Sequence, residues 1–119
     1  YKTLLALSDK GTRLLCNSSG KTLFSISPPV SRGLAVSNGA SISKNLVAVA
    51  NGEAGVNLFY NPSFSFESSF CFPSKPFPLG TLSWGEHYSA NTVFFHKNYI
   101  LVALGTGGFK IIEYAWLRK

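Results

Sequence analysis

Carboxylates are scarce in this chain: five Asp and Glu among 119 residues, against eleven Lys and Arg. Acid–base catalysis by paired carboxylates needs two such groups to converge, and Asp9, Glu53, Glu67, Glu86 and Glu113 supply such a site poorly. Methionine is absent, and cysteine occurs twice, as Cys16 and Cys71. Neither cysteine sits in a C-x-x-C or His-containing pattern, so no metal site and no cofactor are expected. Charged residues make up only 13% and apolar types 45%, a balance that excludes disorder. No apolar run reaches the ~18 residues of a membrane span, because Lys, Gly, Ser or Asn interrupts each one. Residue 1 is Tyr, with no basic and apolar leader behind it, so the chain reads as a processed or excised piece.

The formal net charge is +6. The lysines at 2, 10, 21, 44, 75, 97, 110 and 119 are spread along the sequence without a basic run. A nucleic-acid surface calls for clustered Arg and Lys interleaved with aromatics, so nucleic acid is not an expected partner. Solubility and weak attraction to acidic surfaces account for the charge.

What the sequence has is a repeat. Shifted by 53 residues, the segment from residue 40 to 59 (ASISKNLVAVANGEAGVNLF) lies without a gap on residues 93 to 112 (VFFHKNYILVALGTGGFKII). Identities fall at Lys44/Lys97, Asn45/Asn98, Val49/Val102, Ala50/Ala103, Gly52/Gly105 and Gly55/Gly108. A shift of 44 adds a third copy at the N-terminus, with Ala6/Ala50, Gly11/Gly55, Leu14/Leu58 and Asn17/Asn61. Hairpin repeats are therefore expected near residues 3–17, 40–61 and 93–114.

Each copy has one physical reading. The apolar runs 47–50 and 100–104 are strands buried on both faces. A four-residue turn follows (SDKG, GEAG, GTGG), closing on a Gly where the backbone needs a positive φ. A second strand leaves at 12–16, 56–60 and 109–114. In the later copies a further strand, 40–43 or 93–96, comes first and ends in a Lys-Asn turn. Additional β segments are expected at 21–27 and 63–72, with Pro and Gly marking the return.

Four short antiparallel strands per 44 to 53 residues is the unit of a β-propeller. The expected fold class is thus all-β: propeller blades of four antiparallel strands, in one partial domain over 1–119. Three copies are too few to close a ring of four to eight blades, so the ring is expected to be incomplete. Its completion would fall to further blades of the same protein or to another chain.

The motifs VAVANGEAGVNLF (47–59) and ILVALGTGGFKII (100–112), and more loosely LALSDKGTRLL (5–15), resemble the LVIVD repeat of bacterial β-propeller proteins. The acidic residue that family carries after the apolar core of the second strand is kept only as Glu113, with Tyr60 and Cys16 in its place elsewhere. The resemblance implies an extracellular or cell-surface protein and says nothing about chemistry. Cys16 and Cys71 fall at different points of the repeat, so two free, partly buried thiols are expected. The alternative is a disulfide between neighbouring blades in an oxidising compartment.

The two shifts differ by nine residues (53 − 44), which places an insertion between Asn61 and Asn91. Trp84, Gly85, Glu86, His87 and Tyr88 lie there. Loops at a rim specialise a propeller, so Trp84, His87 and Tyr88, with Arg32 from the equivalent connection, form the candidate ligand surface for a protein or glycan. The competing reading has Trp84 and Tyr88 wedged between blades and His87 merely exposed. Glu86 beside His87 makes no acid–base pair if both sit on a strand, because neighbours there face opposite sides. His96 closes a strand, as Ser43 does in the preceding copy. GEAG and GTGG lack the Lys-Ser/Thr and the following helix of a phosphate loop. No catalytic residue is assigned. The expected function is a non-enzymatic binding or scaffold module, part of a larger secreted or surface protein. The alternative is a fragment of a propeller hydrolase or lyase whose active residues lie mainly elsewhere, with His87 and His96 as its candidates here.

Overall fold

The computed structural model describes residues 1–29, 35–62, 66, 68–85 and 87–115. Among the described residues ten strands follow in order: β1 (Lys2–Ala6), β2 (Thr12–Cys16), β3 (Thr22–Ile26), β4 (Gly39–Ser43), β5 (Leu46–Ala50), β6 (Val56–Tyr60), β7 (Phe77–Leu82), β8 (Thr92–His96), β9 (Tyr99–Ala103) and β10 (Phe109–Glu113). They form three antiparallel sheets, β1-β2-β3, β4-β5-β6-β7 and β8-β9-β10, here called sheets 1, 2 and 3. Among the described residues no helix is long and apolar enough to cross a membrane.

The repeat governs this layout residue by residue. Adding 53 to the bounds of β4, β5 and β6 gives those of β8, β9 and β10, and adding 44 to those of β1 and β2 gives β5 and β6. Two isolated antiparallel bridges obey the same shifts: Ser8 with Ser37, and Gly52 with Ala90. They hold β1 and β4, then β5 and β8, at the same end of successive sheets, and β4 lies beside both β1 and β8.

The hairpin turns explain the conserved spacing of glycines. Gly11, Gly55 and Gly108 all have φ near +80°, at 80°, 83° and 80°. The first two have a second constraint: a Cβ on Gly55 would stand 2.2 Å from the Leu82 carbonyl oxygen, and one on Gly11 2.1 Å from that of Ile26. Gly108 has open space around it, because sheet 3 has no described strand beside β10 on that side.

Sheet 2 is the middle layer. Its back face, with Ile42, Val47 and Val49, packs on Leu4, Leu14, Phe24 and Ile26 of sheet 1. Its front face, with Ala48, Ala50, Val56 and Leu58, packs on Val93, Phe95, Ile100 and Val102 of sheet 3. Residues 47 to 50 of β5 are accordingly buried without interruption, as expected. The run 100–104 departs from that expectation. Ile100 and Val102 are buried, but Leu101 and Ala103 lie on the front face of sheet 3 and are only half-buried. On that face Phe94, Leu101 and Ile111 form one cross-strand row and Ala103 with Phe109 another. Phe94, Phe109 and Ile111 are 56%, 60% and 64% exposed.

Two further expectations are corrected. The last strand of sheet 2 is β7 (Phe77–Leu82), not the segment 63–72. Of that segment, 63–65 and 67 lie outside the described residues, and none of the rest is in a strand. The prolines hid the strand. Pro78 sits on an edge strand, where its missing N–H costs no ladder bond, next to a register shift opposite Leu58 and Phe59. The cysteines, expected as free thiols, form a disulfide, Cys16–Cys71, with Cα atoms 5.8 Å apart. Their different positions in the repeat do not keep them apart. Cys71 lies in the β6–β7 connection, residues 61–76, which crosses back onto sheet 1. The Ser74 N–H donates to the Leu23 carbonyl at 3.0 Å, and the Lys2 ammonium to that of Ser68. Phe66 packs on the cluster shared by sheets 1 and 2.

Closing a 55-residue separation is worth about 4 kcal/mol in the chain-entropy account of disulfides. Chemical denaturation of a Cys16→Ser/Cys71→Ser variant should show a loss of that order. Thr12 offers the opposite change: it is fully buried, and its hydroxyl has no hydrogen-bond partner among the described residues. Its counterpart in β6 is Val56. Thr12→Val should therefore gain about 1 kcal/mol in the same measurement.

Candidate functional site

The strands have two distinct ends. The glycine turns at 7–11, 51–55 and 104–108 share one end with the inter-sheet connections 27–38 and 83–91. The other end carries the turns at 17–21, 44–45 and 97–98 and the long connection 61–76. The candidate residues Trp84, His87 and Tyr88 belong to the glycine-turn end. Arg32 and Glu86 lie outside the described residues.

The extra nine residues are not where the candidate cluster lies. The β6–β7 connection has 16 residues where β2–β3 has 5, and β7–β8 has 9 where β3–β4 has 12. Together with one more residue in β7, this gives 11 − 3 + 1 = 9. The insertion is therefore the crossing segment 61–76 at the opposite end, and the Trp84–Tyr88 connection is the shorter of its pair. Sequence spacing bracketed the insertion between Asn61 and Asn91 but did not say on which side of β7 it falls.

Each candidate side chain has a local reason for its place. Trp84 is half-buried and packs with Leu82 against the cluster between sheets 2 and 3. Gly85, at φ 108°, turns the chain, and the Tyr88 N–H donates back to its carbonyl at 3.2 Å. The Tyr88 ring then lies over Gly107: a Cβ there would meet Tyr88 Cδ1 at 2.5 Å. Tyr88 thus couples the connection to the β9–β10 turn while leaving much of its ring in solvent. His87 is exposed between them. Trp84 thus packs between sheets 2 and 3, whereas Tyr88 rests on one turn of sheet 3.

The two histidines do not come together. His87 precedes β8 and His96 closes it, so a five-residue strand of about 17 Å separates them. Among the described residues no group of three or more His, Cys, Asp or Glu could hold a metal ion.

A polar chain that the sequence did not advertise runs across the same end of sheet 2. The Ser37 hydroxyl donates to Asn51 Oδ1 at 2.8 Å, Asn51 Nδ2 to Asn57 Oδ1 at 2.7 Å, and Asn57 Nδ2 to Thr81 Oγ1 at 2.9 Å. Ser37 and Asn51 are buried, so these bonds satisfy groups that would otherwise be costly to remove from water. The available signal was the mismatch at one repeat position: Asn51 stands where the other copies have Leu7 and Leu104.

Compared with protein-family models, curated proteins and solved structures, the chain matches none of them.

Trp84→Ala should cost about 3 kcal/mol of folding stability, the usual effect of truncating a packed aromatic. His87→Ala should stay within about 0.5 kcal/mol of wild type. Thermal and urea melts of the two variants check both values.

Proposed function

We propose that this chain is a non-enzymatic binding or scaffold module, a set of β-propeller blades that belongs to a larger ring. One observation carries the reading: the front face of sheet 3. Its counterparts on sheets 1 and 2 are each covered by the back face of the next sheet, whereas Phe94, Phe109 and Ile111 are open to solvent. The outer edge of β10, whose counterpart β6 carries β7, is unpaired among the described residues. A further sheet against the face and a further strand beside β10, from the same protein or from another chain, satisfy both. The face is bulkier than the one it repeats, with Phe94 for Ser41, Leu101 for Ala48 and Phe109 for Val56. Its partner must therefore stand further off than β8 does from Gly39 and Ser41, where the Phe95 N–H reaches the Ser41 hydroxyl at 3.2 Å.

On this reading the ligand surface is the glycine-turn end, where Tyr88 and His87 are exposed on a connection anchored by Trp84. A protein or a glycan is the partner class that such a rim suits. The Cys16–Cys71 disulfide favours an extracellular or cell-surface setting, since disulfides persist in oxidising compartments.

The open face makes a prediction in solution. By light scattering the isolated chain should run larger than its 12.9 kDa monomer at micromolar concentration. Phe94→Ser/Ile111→Ser should return it to monomer without loss of cooperative unfolding. A wild-type chain that stays monomeric and heat-stable contradicts the proposal.

A further inference from the structure

The lysines are dispersed in sequence, but the fold gathers them. Lys21, Lys44, Lys75 and Lys97 are exposed, and all four lie in the turns and connection of the Lys-Asn end, opposite the glycine turns. Lys2 opens β1 at the same end. Four exposed lysines thus lie on one end of the sheets, while Lys2 is buried with its ammonium on the Ser68 carbonyl. Of the carboxylates only Glu113, and by sequence Glu67, belong to it. Asp9 and Glu53 sit in glycine turns at the far end.

The same end displays aromatic rings. The disulfide turns Cys71 inward and leaves its two neighbours outside: Phe70 is 67% and Phe72 70% exposed, with ring centroids 5.8 Å apart and nearly parallel. Tyr1 and Phe77 are exposed at this end as well. From residue 68 to 85 the sequence holds no carboxylate. A stacked Phe pair held in water on a covalently anchored segment is an unfavourable arrangement without an apolar phase to enter.

We infer that the Lys-Asn end is a peripheral docking face for an anionic lipid surface, with Phe70 and Phe72 entering the acyl boundary and the surrounding lysines meeting the headgroups. Lysine with Phe and Tyr is the composition of an interfacial anchor. The charge is complementary to acidic lipid. Phe, which cannot hydrogen-bond, suits hydrocarbon better than a sugar or a phosphate backbone. The inference stands independently of the propeller reading, because it uses neither the open face of sheet 3 nor the glycine-turn end.

The test is co-sedimentation of the full chain with unilamellar vesicles of phosphatidylcholine, with and without 30 mol% phosphatidylglycerol, at about 0.1 M salt. Binding should require the anionic lipid and weaken with added salt. Lys44→Gln/Lys97→Gln should lower affinity about 25-fold, about fivefold for each lysine. Phe70→Ser/Phe72→Ser should lower it at least ~10-fold, since one buried phenyl ring is worth more than a decade in affinity. Lys10→Gln/Lys110→Gln, at the far end, should leave it unchanged, and all variants should keep the wild-type circular-dichroism melt. Three results overturn the inference: equal binding to both vesicle types, an equal loss on changing Lys10 and Lys110, or lysine-dependent binding indifferent to the Phe pair. The last would assign the face to an acidic polymer instead.

Discussion

The structure depends on burying both faces of β5. Val47, Ala48, Val49 and Ala50 alternate between two neighbours, and each face is dry only because another sheet lies against it. Burying a valine contributes about 1.5–3 kcal/mol, and a lone sheet could bury only one face at best. Sheet 2 is therefore the layer that makes the other two cohere. Small residues set the spacing on its front side: Gly39 brings the backbone of β4 within 3.4 Å of the Thr92 Cα, measured from where its Cβ would be. Large residues on the back of sheet 3 fill what the small ones leave.

That stacking has a directional logic. Each sheet lays its back face on the front face of the one before it, so the contact is not between like surfaces. It propagates from sheet to sheet instead of closing on itself as a two-fold pair would. The strand ends consequently fall into two separate sets, and the loops at each end can be specialised without disturbing the core. At one end short glycine turns, a polar chain through Asn51 and the Trp84–Tyr88 connection keep the loops tight. At the other the chain spends 16 residues between β6 and β7. There it lays a strap across two sheets.

Much of this was legible in the sequence because the repeat is a physical register. Gly55 and Gly108 have a positive φ at the same step, and Lys44 and Lys97, both at φ 53°, turn the preceding hairpin. The hairpins, the three-sheet organisation and the burial of 47–50 followed from those positions. What escaped has equally specific causes. Pro76 and Pro78 read as a return loop, yet an edge strand tolerates proline, so β7 was displaced onto 63–72. Cys71 belongs to the one segment without a counterpart in the repeat, and no internal comparison could pair it with Cys16. Residues 100–104 carry the same apolar pattern as 47–50, but pattern alone does not tell whether a second sheet is there to cover it. At the candidate site, residue types pointed to the connection after β7, whereas the extra residues lie on the other side of that strand.

The Cys16–Cys71 link also sets how the chain would bear tension. Pulled from its two ends, the protein can lengthen only through residues outside the covalent loop. The 55 residue steps between the cysteines, which contain β3, β4, β5 and β6, are shorted out by the bond. Extended, they would amount to about 190 Å of chain that never pays out while the disulfide is intact. β4, β5 and β6 of the central sheet are thus held inside a closed loop, and β1, β2, β7 and sheet 3 are the parts left to yield.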